Sequence, residues 1–188
     1  MASGDLLDRA HGWVRERTGS PHLEHLERTL AYAMELDPGA SEALRLAALT
    51  HDIERSYPEG RLPYDSAFSW DDPTYNRLHQ DRSADIVAGW LRDQGAAEPL
   101  VAHVEALVRV HENGGSPEAD VLQAADSLSF LETMTGLVLG WLDRVPRERA
   151  QGKLQHSYDR IRVERARALA GPLLERALHD LQKVPARA

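Results

Sequence analysis

The chain has 188 residues, with 22 basic and 30 acidic side chains, nine histidines, no cysteine and a formal net charge of −8. Such a length suits one domain with a real core, and the missing cysteine excludes disulfides, zinc–thiolate sites and cysteine nucleophiles. Arginines scattered among acids disfavour nucleic-acid binding, no stretch nears the ~20 apolar residues of a membrane span, and Met1 to Asp8 lacks the basic and apolar regions of a signal peptide, so a cytoplasmic protein without membrane or nucleic-acid partners is expected.

Almost every segment reads as helix. Asp5 to Arg17 is a short amphipathic helix stopped near Gly19. Ser20 and Pro21 predict a cap followed by proline at the first helical position, opening a helix that reaches Leu36 before Asp37-Pro38-Gly39. Ser41 or Ala40 opens a third helix, which crowds Leu44, Leu46, Ala47, Ala48 and Leu49 together and closes at His51-Asp52.

Ile53 to Tyr75 has no helical period. It carries Pro58, Gly60, Pro63 and Pro73 among Tyr57, Tyr64, Phe68, Trp70 and Tyr75. A loop of this length is either a lid or binding loop, or a surface excursion with its own aromatic cluster. Helix resumes from Asn76 to Gln94, burying Ala84, Ile86, Val87, Trp90 and Leu91, with Gly95 as its cap. Pro99 to His111 is the next helix, Asn113 to Pro117 a break, and Glu118 to about Met134 a further helix. Two charged helices, about Arg147 to Leu169 and Pro172 to Lys183, read as a peripheral pair. The expected fold is all-α: one compact helical bundle over residues 1–188, with its core in 20–135 and accessory helices in 146–183.

The chemistry concentrates where this pattern is violated. His51 and Asp52 stand side by side at the end of a helix that should be buried, and polar groups at the edge of a core are costly unless paired. A divalent cation is an economical partner, because neutral imidazole and carboxylate are both good ligands. Asp126 sits between apolar neighbours in Val121-Leu-Gln-Ala-Ala-Asp-Ser-Leu-Ser-Phe130. A carboxylate there requires a metal or a salt-bridge partner. His111 lies near the middle of the stripe made by Leu100, Val104, Leu107 and Val108, where a hydrogen-bonded core histidine is the plainer reading. His22 lies nearer the centre of the stripe of Leu23, Leu26, Leu30 and Ala33, and His25 at its edge. Periodicity leaves the two open. His11, His103, His156 and His179 suit surface or packing roles.

Three pieces together resemble the HD-domain superfamily of metal-dependent phosphohydrolases: His25-x-x-Arg28-Thr29, His51-Asp52 closing an Ala-Ala-Leu-rich helix, and Asp126 in Gln-Ala-Ala-Asp-Ser-Leu. The resemblance covers roughly residues 20 to 135 and implies an HD-domain-like bundle with His25, His51, Asp52 and Asp126 as ligands. It favours His25 over His22, because Arg commonly follows the first ligand by three residues in that family. His79-Gln-Asp-Arg-Ser83-Ala84 is similar to the family's His-x-x-x-Ser-Ala helix, and Val108-Arg-Val-His111-Glu112 to the helix after it. The set then becomes His25, His51, Asp52, His79, His111 and Asp126, for one ion or two, with Asp52 placed to bridge.

Such a site activates water and polarises a phosphoryl oxygen, and it needs no protein nucleophile. The implied activity is hydrolysis of a small phosphate ester, a nucleotide among them, with manganese, iron, cobalt, nickel or zinc all suited to these donors. Asp52, Glu54 and Arg55 are the catalytic candidates, and Glu112 is a further acid beside a ligand. Arg28, Arg55, Arg77 and Arg82 are candidates for holding a small anionic substrate, against the alternative of surface ion pairs. Glu54 suits orienting a ligand better than acting on substrate. Two other readings use the same residues: a di-iron oxygenase cleaving C–C or C–P bonds, and a non-catalytic binding module with a structural metal. A homodimer is left open.

Overall fold

The computed structural model describes residues 3–59 and 62–185, and among them every regular element is helical. In chain order these are α1 (Ser3–Arg17), α2 (His22–Leu36), α3 (Glu42–Thr50), a 3-10 turn (Ile53–Ser56), α4 (Ser66–Ser69), α5 (Pro73–Asp93) and α6 (Glu98–Val108). There follow α7 (Pro117–Thr133), α8 (Thr135–Gly140), a second 3-10 turn (Trp141–Asp143), α9 (Arg147–Asp159) and α10 (Glu164–Lys183). The expected all-α bundle is what forms.

Helix α3 is the central element. Ser41 caps it by accepting from Leu44 N, and Ala43, Leu44 and every residue from Leu46 to Thr50 are buried. It lies against α1, α2, α6 and α7. Four neighbours leave no polar face, which is why its sequence is apolar all round rather than striped. Truncating a side chain such as Leu46 or Leu49 there costs about 2–5 kcal/mol. On one flank Trp13 stacks on Trp90 with ring centroids 4.6 Å apart, tying α1 to α5. No helix among the described residues is long and apolar enough to cross a membrane.

Several boundaries differ from expectation. Ser20 does not cap α2; Pro21 takes that position, and its carbonyl accepts from His25 N. Helix α5 starts at Pro73 rather than Asn76, because Asp72 accepts from the amides of Thr74 and Tyr75. The long proline-rich segment is not wholly irregular: it holds the turn Ile53–Ser56 and α4, the latter capped by Asp65. Its aromatics do not form one cluster, since Phe68 is 53 % exposed while Trp70 packs on His156. Gly60 of this segment lies outside the described residues.

Helix α6 ends at Val108, three residues before His111, and the chain then turns through Arg109–Asn113. The C-terminal pair breaks at 160–163 rather than before Pro172, which lies inside α10. The buried stripe of α10 (Ala166, Ala170, Leu173, Leu174, Ala177, Leu181) leaves Pro172 exposed. Its missing hydrogen bond frees the carbonyl of Ala168, which is also exposed and can be hydrated. Nor is the pair peripheral. Helix α10 lies on α7, and α9 packs against both α7 and α10.

The turn after His111 depends on glycine. Gly114 has φ +65°, and a Cβ there would overlap Asp120 Oδ1 and Arg162 Nη1, which are ion-paired. Gly114→Ala is therefore expected to lose about 1–3 kcal/mol. Urea unfolding of the variant reads this directly; a midpoint equal to that of the parent protein would contradict it.

Candidate metal centre

Five segments of the chain converge beside a cavity. Helix α2 contributes His25, the C-terminal end of α3 His51 and Asp52, α5 His79, the turn after α6 His111, and α7 Asp126. All six side chains are buried, His79 completely. They fall into two groups. The ligand atoms of His25, His51 and Asp126 lie within 4.8 Å of one another, as do those of Asp52, His79 and His111. Asp52 thus groups with the later histidines rather than with its sequence neighbour His51. The imidazoles run in a chain, with centroid separations of 5.3 Å for His25–His51, 5.0 Å for His51–His111 and 5.1 Å for His79–His111.

The hydrogen bonds decide which nitrogen faces the site. His51 Nδ1 lies 3.1 Å from the carbonyl of Ala48, and His111 Nδ1 lies 2.8 Å from that of Val108. A carbonyl only accepts, so both Nδ1 atoms carry hydrogen, and in the neutral ring the lone pair is left on Nε2. At His25, Ser129 Oγ donates its one proton to the His25 carbonyl and must therefore accept from Nδ1, 2.9 Å away. His79 Nδ1 is held by Glu54 Oε1 at 2.9 Å. Every imidazole presents Nε2 to the centre, in the orientation that second partners impose on metal-ligating histidines.

The carboxylates are arranged alike. Asp126 Oδ2 accepts from Arg160 Nη2 at 2.5 Å, while Oδ1 lies 3.2 Å from His25 Nε2 and 3.4 Å from His51 Nε2. Asp52 Oδ2 accepts from Arg55 Nε at 2.7 Å, and its Oδ1 lies 2.8 Å from His79 Nε2. Yet Nε2 of His51 and of His79 are both buried without a hydrogen bond of acceptable direction. Buried polar atoms left in this state need an explanation. Donor atoms roughly 3 Å apart, aimed at a shared point, suit a cation with ligands at about 2.0–2.2 Å. The donor set fits a divalent transition metal in each group.

The electrostatics agree. Burial would raise Asp52 and Asp126, but Arg55 beside the first and Arg160 beside the second hold both well below the usual carboxylate range. Burial, reinforced by the charges of His51 and His79, pushes His111 down to about 3, so it is a neutral donor. His79 differs: burial and Arg55 oppose its charge, but Asp52 and Glu54 on either side push it up to about 9.

The cavity above these donors offers about 50 Å³ to a water-sized group. Its wall carries Arg55, Lys153 and Arg160, with Phe130, Leu137 and Trp141 as apolar surface. Of the arginines proposed for substrate, only Arg55 lines it. Arg28 turns away to Glu132 and over the Tyr32 ring, because it stands on the flank of α2 that meets α7. Arg77 is on the exposed face of α5. Arg82 lies 3.3 Å from Glu54 and donates to the carbonyls of Tyr57 and Glu59. Glu54 itself orients His79. His22 lines the cavity while His25 is buried among the candidate ligands. His103 pairs with Glu118 on the surface.

Sequence reading missed Arg160, Lys153 and the pairing of Glu112. Arg160 binds Glu112, Asp126 and Ser127 at once. For Lys153 a signal existed: Ala150, Lys153, Leu154 and Ser157 form the buried stripe of α9, at helical spacing. Arg160 follows the end of that helix and had no such signal.

The state of His79 sets a pH dependence. At pH 7 it keeps a proton on each nitrogen in the metal-free protein, and Nε2 must lose its proton before it can bind an ion. Affinity at the Asp52–His79–His111 group should therefore rise about tenfold per pH unit, levelling near pH 9. Titration of chelator-stripped protein with Zn2+ at pH 6, 7 and 8 measures this; equal affinities at the three values would refute the assignment. Ser129→Ala should weaken metal binding about 10- to 100-fold, by freeing the His25 ring, in the same titration at fixed pH.

No curated protein and no solved structure matches this sequence. A family profile does, over residues 8–180, which include every helix that carries a candidate ligand. The chain belongs to the family described as Domain of unknown function (DUF4202).

Proposed function

We propose that this protein is a metal-dependent phosphohydrolase of HD-domain type that cleaves a small phosphate ester. The observation that carries the reading is the pairing of two carboxylate–imidazole groups beneath a cavity whose wall is cationic. His25, His51 and Asp126 would hold one divalent ion, and Asp52, His79 and His111 a second. When bound, such ions make water nucleophilic near neutral pH and offset negative charge on a phosphoryl group.

The chain's own residues supply the rest. Arg55 lines the cavity and is fixed by Asp52 and by the hydroxyl of Tyr75, 2.8 Å from Nη1. Its remaining N–H groups can meet phosphoryl oxygens without reorganisation. Arg160 plays the corresponding part on the opposite side, anchored to Asp126 and Glu112. Phe130, Leu137 and Trp141 exclude water from part of the cavity, which strengthens each of these charge interactions. The chain's net charge of −8, with arginines scattered among acids, disfavours a polyanionic polymer as substrate.

Purified protein, stripped of metal and reloaded with Mn2+, Co2+, Ni2+ or Zn2+, is expected to release phosphate from a panel of nucleoside and alkyl monophosphates. His51→Ala should lower kcat/KM by about 100-fold or more, with the helical circular dichroism retained. No phosphate release with any metal, or release unaffected by His51→Ala, would refute the reading. Four imidazoles among six donors also suit iron, so a di-iron oxygenase is the second reading. Oxygen uptake by iron-loaded protein, without phosphate release, would select it.

A further inference from the structure

The three cations on the cavity wall are not equivalent. Arg55 is committed to Asp52, and Arg160 to Asp126 and Glu112. Lys153 makes no direct ion pair: among the described residues no carboxylate oxygen lies within 4.0 Å of its ammonium and none accepts a hydrogen bond from it, so it is supported only by the more distant charges of Glu112 and Asp126. Its close partner is the face of Phe130, whose centroid is 4.7 Å from Nζ. The side chain is only 9 % exposed, and what remains accessible belongs to the cavity wall.

Such placement is costly. A buried ammonium stays charged only where something compensates it, and Lys153 occupies a core-facing position of α9 that Leu or Ala would fill without cost. It is also one of only two lysines in a chain that otherwise uses arginine, the other being Lys183.

A second donor lies against the same helix. Trp70 lines the cavity, and its indole N–H is buried without an acceptor among the described residues. Its ring packs on Gly152, the residue before Lys153; a Cβ there would come within 3.2 Å of Trp70 Cζ2. His156, one turn further along α9, meets the same ring at a tilt of 43°, with centroids 5.4 Å apart. Two donors without an acceptor among the described residues, one of them charged, thus belong to cavity-lining residues that meet at α9.

We propose that Lys153 and Trp70 form an oxyanion subsite, separate from the six metal donors, that binds a phosphate group of the ligand. The proposal rests on the phosphohydrolase reading for the choice of phosphate, but the binding is independent of turnover. A point charge with three rotatable donors accepts a tetrahedral oxyanion in several orientations, and the indole N–H adds a fixed direction. Arg55 and Arg160, held by their carboxylates, cannot move to replace it.

Isothermal titration of the metal-loaded protein with inorganic phosphate tests this. Lys153→Met keeps the length of the side chain and its contact with Phe130 but removes the charge; it should weaken phosphate about tenfold or more while metal content per chain is unchanged. Lys153→Arg should recover part of the loss. Trp70→Phe removes only the N–H and should weaken phosphate about threefold or more. Phosphate affinity within twofold of the parent in both Lys153→Met and Trp70→Phe, or no phosphate binding by the parent, overturns the subsite. If Lys153→Met does not fold, Trp70→Phe decides alone on the same criterion. A parent protein that binds phosphate through these residues yet hydrolyses no ester refutes the hydrolase reading and leaves the subsite standing. Hydrolysis with phosphate affinity unchanged in the variants does the reverse.

Discussion

Two buried carboxylates, each divided between a guanidinium and imidazole, are the constraint around which this protein is organised. Asp126 sends one oxygen to Arg160 and turns the other toward His25 and His51; Asp52 does the same with Arg55 and His79. A carboxylate in a helical core is unstable without charge compensation. Here the compensation is supplied from separate parts of the chain, so satisfying these two groups brings α2, α3, α5, α7 and the segment after α9 into register. The centre is a consequence of the packing and also one of its determinants.

The orientation of the imidazoles follows from where helices stop. His51 directly follows α3 and His111 lies in the turn beyond α6, and each sends Nδ1 back to a carbonyl three residues earlier. Those carbonyls lack their usual partners because the helix has ended, so the backbone fixes the tautomer without a dedicated side chain. His25 and His79 lie within helices, where the carbonyls are occupied, and each needs a side-chain partner instead: Ser129 in one case, Glu54 in the other. Arg82 in turn braces Glu54. The need for glycine at position 114 belongs to the same design, because the tight turn after His111 lets Asp120 and Arg162 close over the chain.

The upper wall of the cavity is built by the C-terminal half of the chain. Arg149 donates to the carbonyls of Ala67 and Phe68 and pairs with Asp71, while Arg144 pairs with Asp65. These contacts hold the segment 62–72 against α9 and the chain before it, which sets Trp70 against Gly152, the residue before Lys153. The helices expected to be accessory are therefore what completes the cavity, and they make its chemistry cationic.

The sequence by itself determined the all-helical class and the burial of α3, which rest on apolar period and capping residues, and it marked His51, Asp52 and Asp126 as polar groups where core residues belong. What only the tertiary structure decided is the division of the donors into two groups, the choice of His25 over His22 for the interior, and the identity of the cavity cations. Arg28, Arg77 and Arg82 stand near ligands in the chain and point elsewhere in space, whereas Arg160 is 34 residues from Asp126 and touches it. A guanidinium on a long flexible stem is placed by the nearest carboxylate rather than by its neighbours in sequence, and which carboxylate is nearest is settled by how the helices pack.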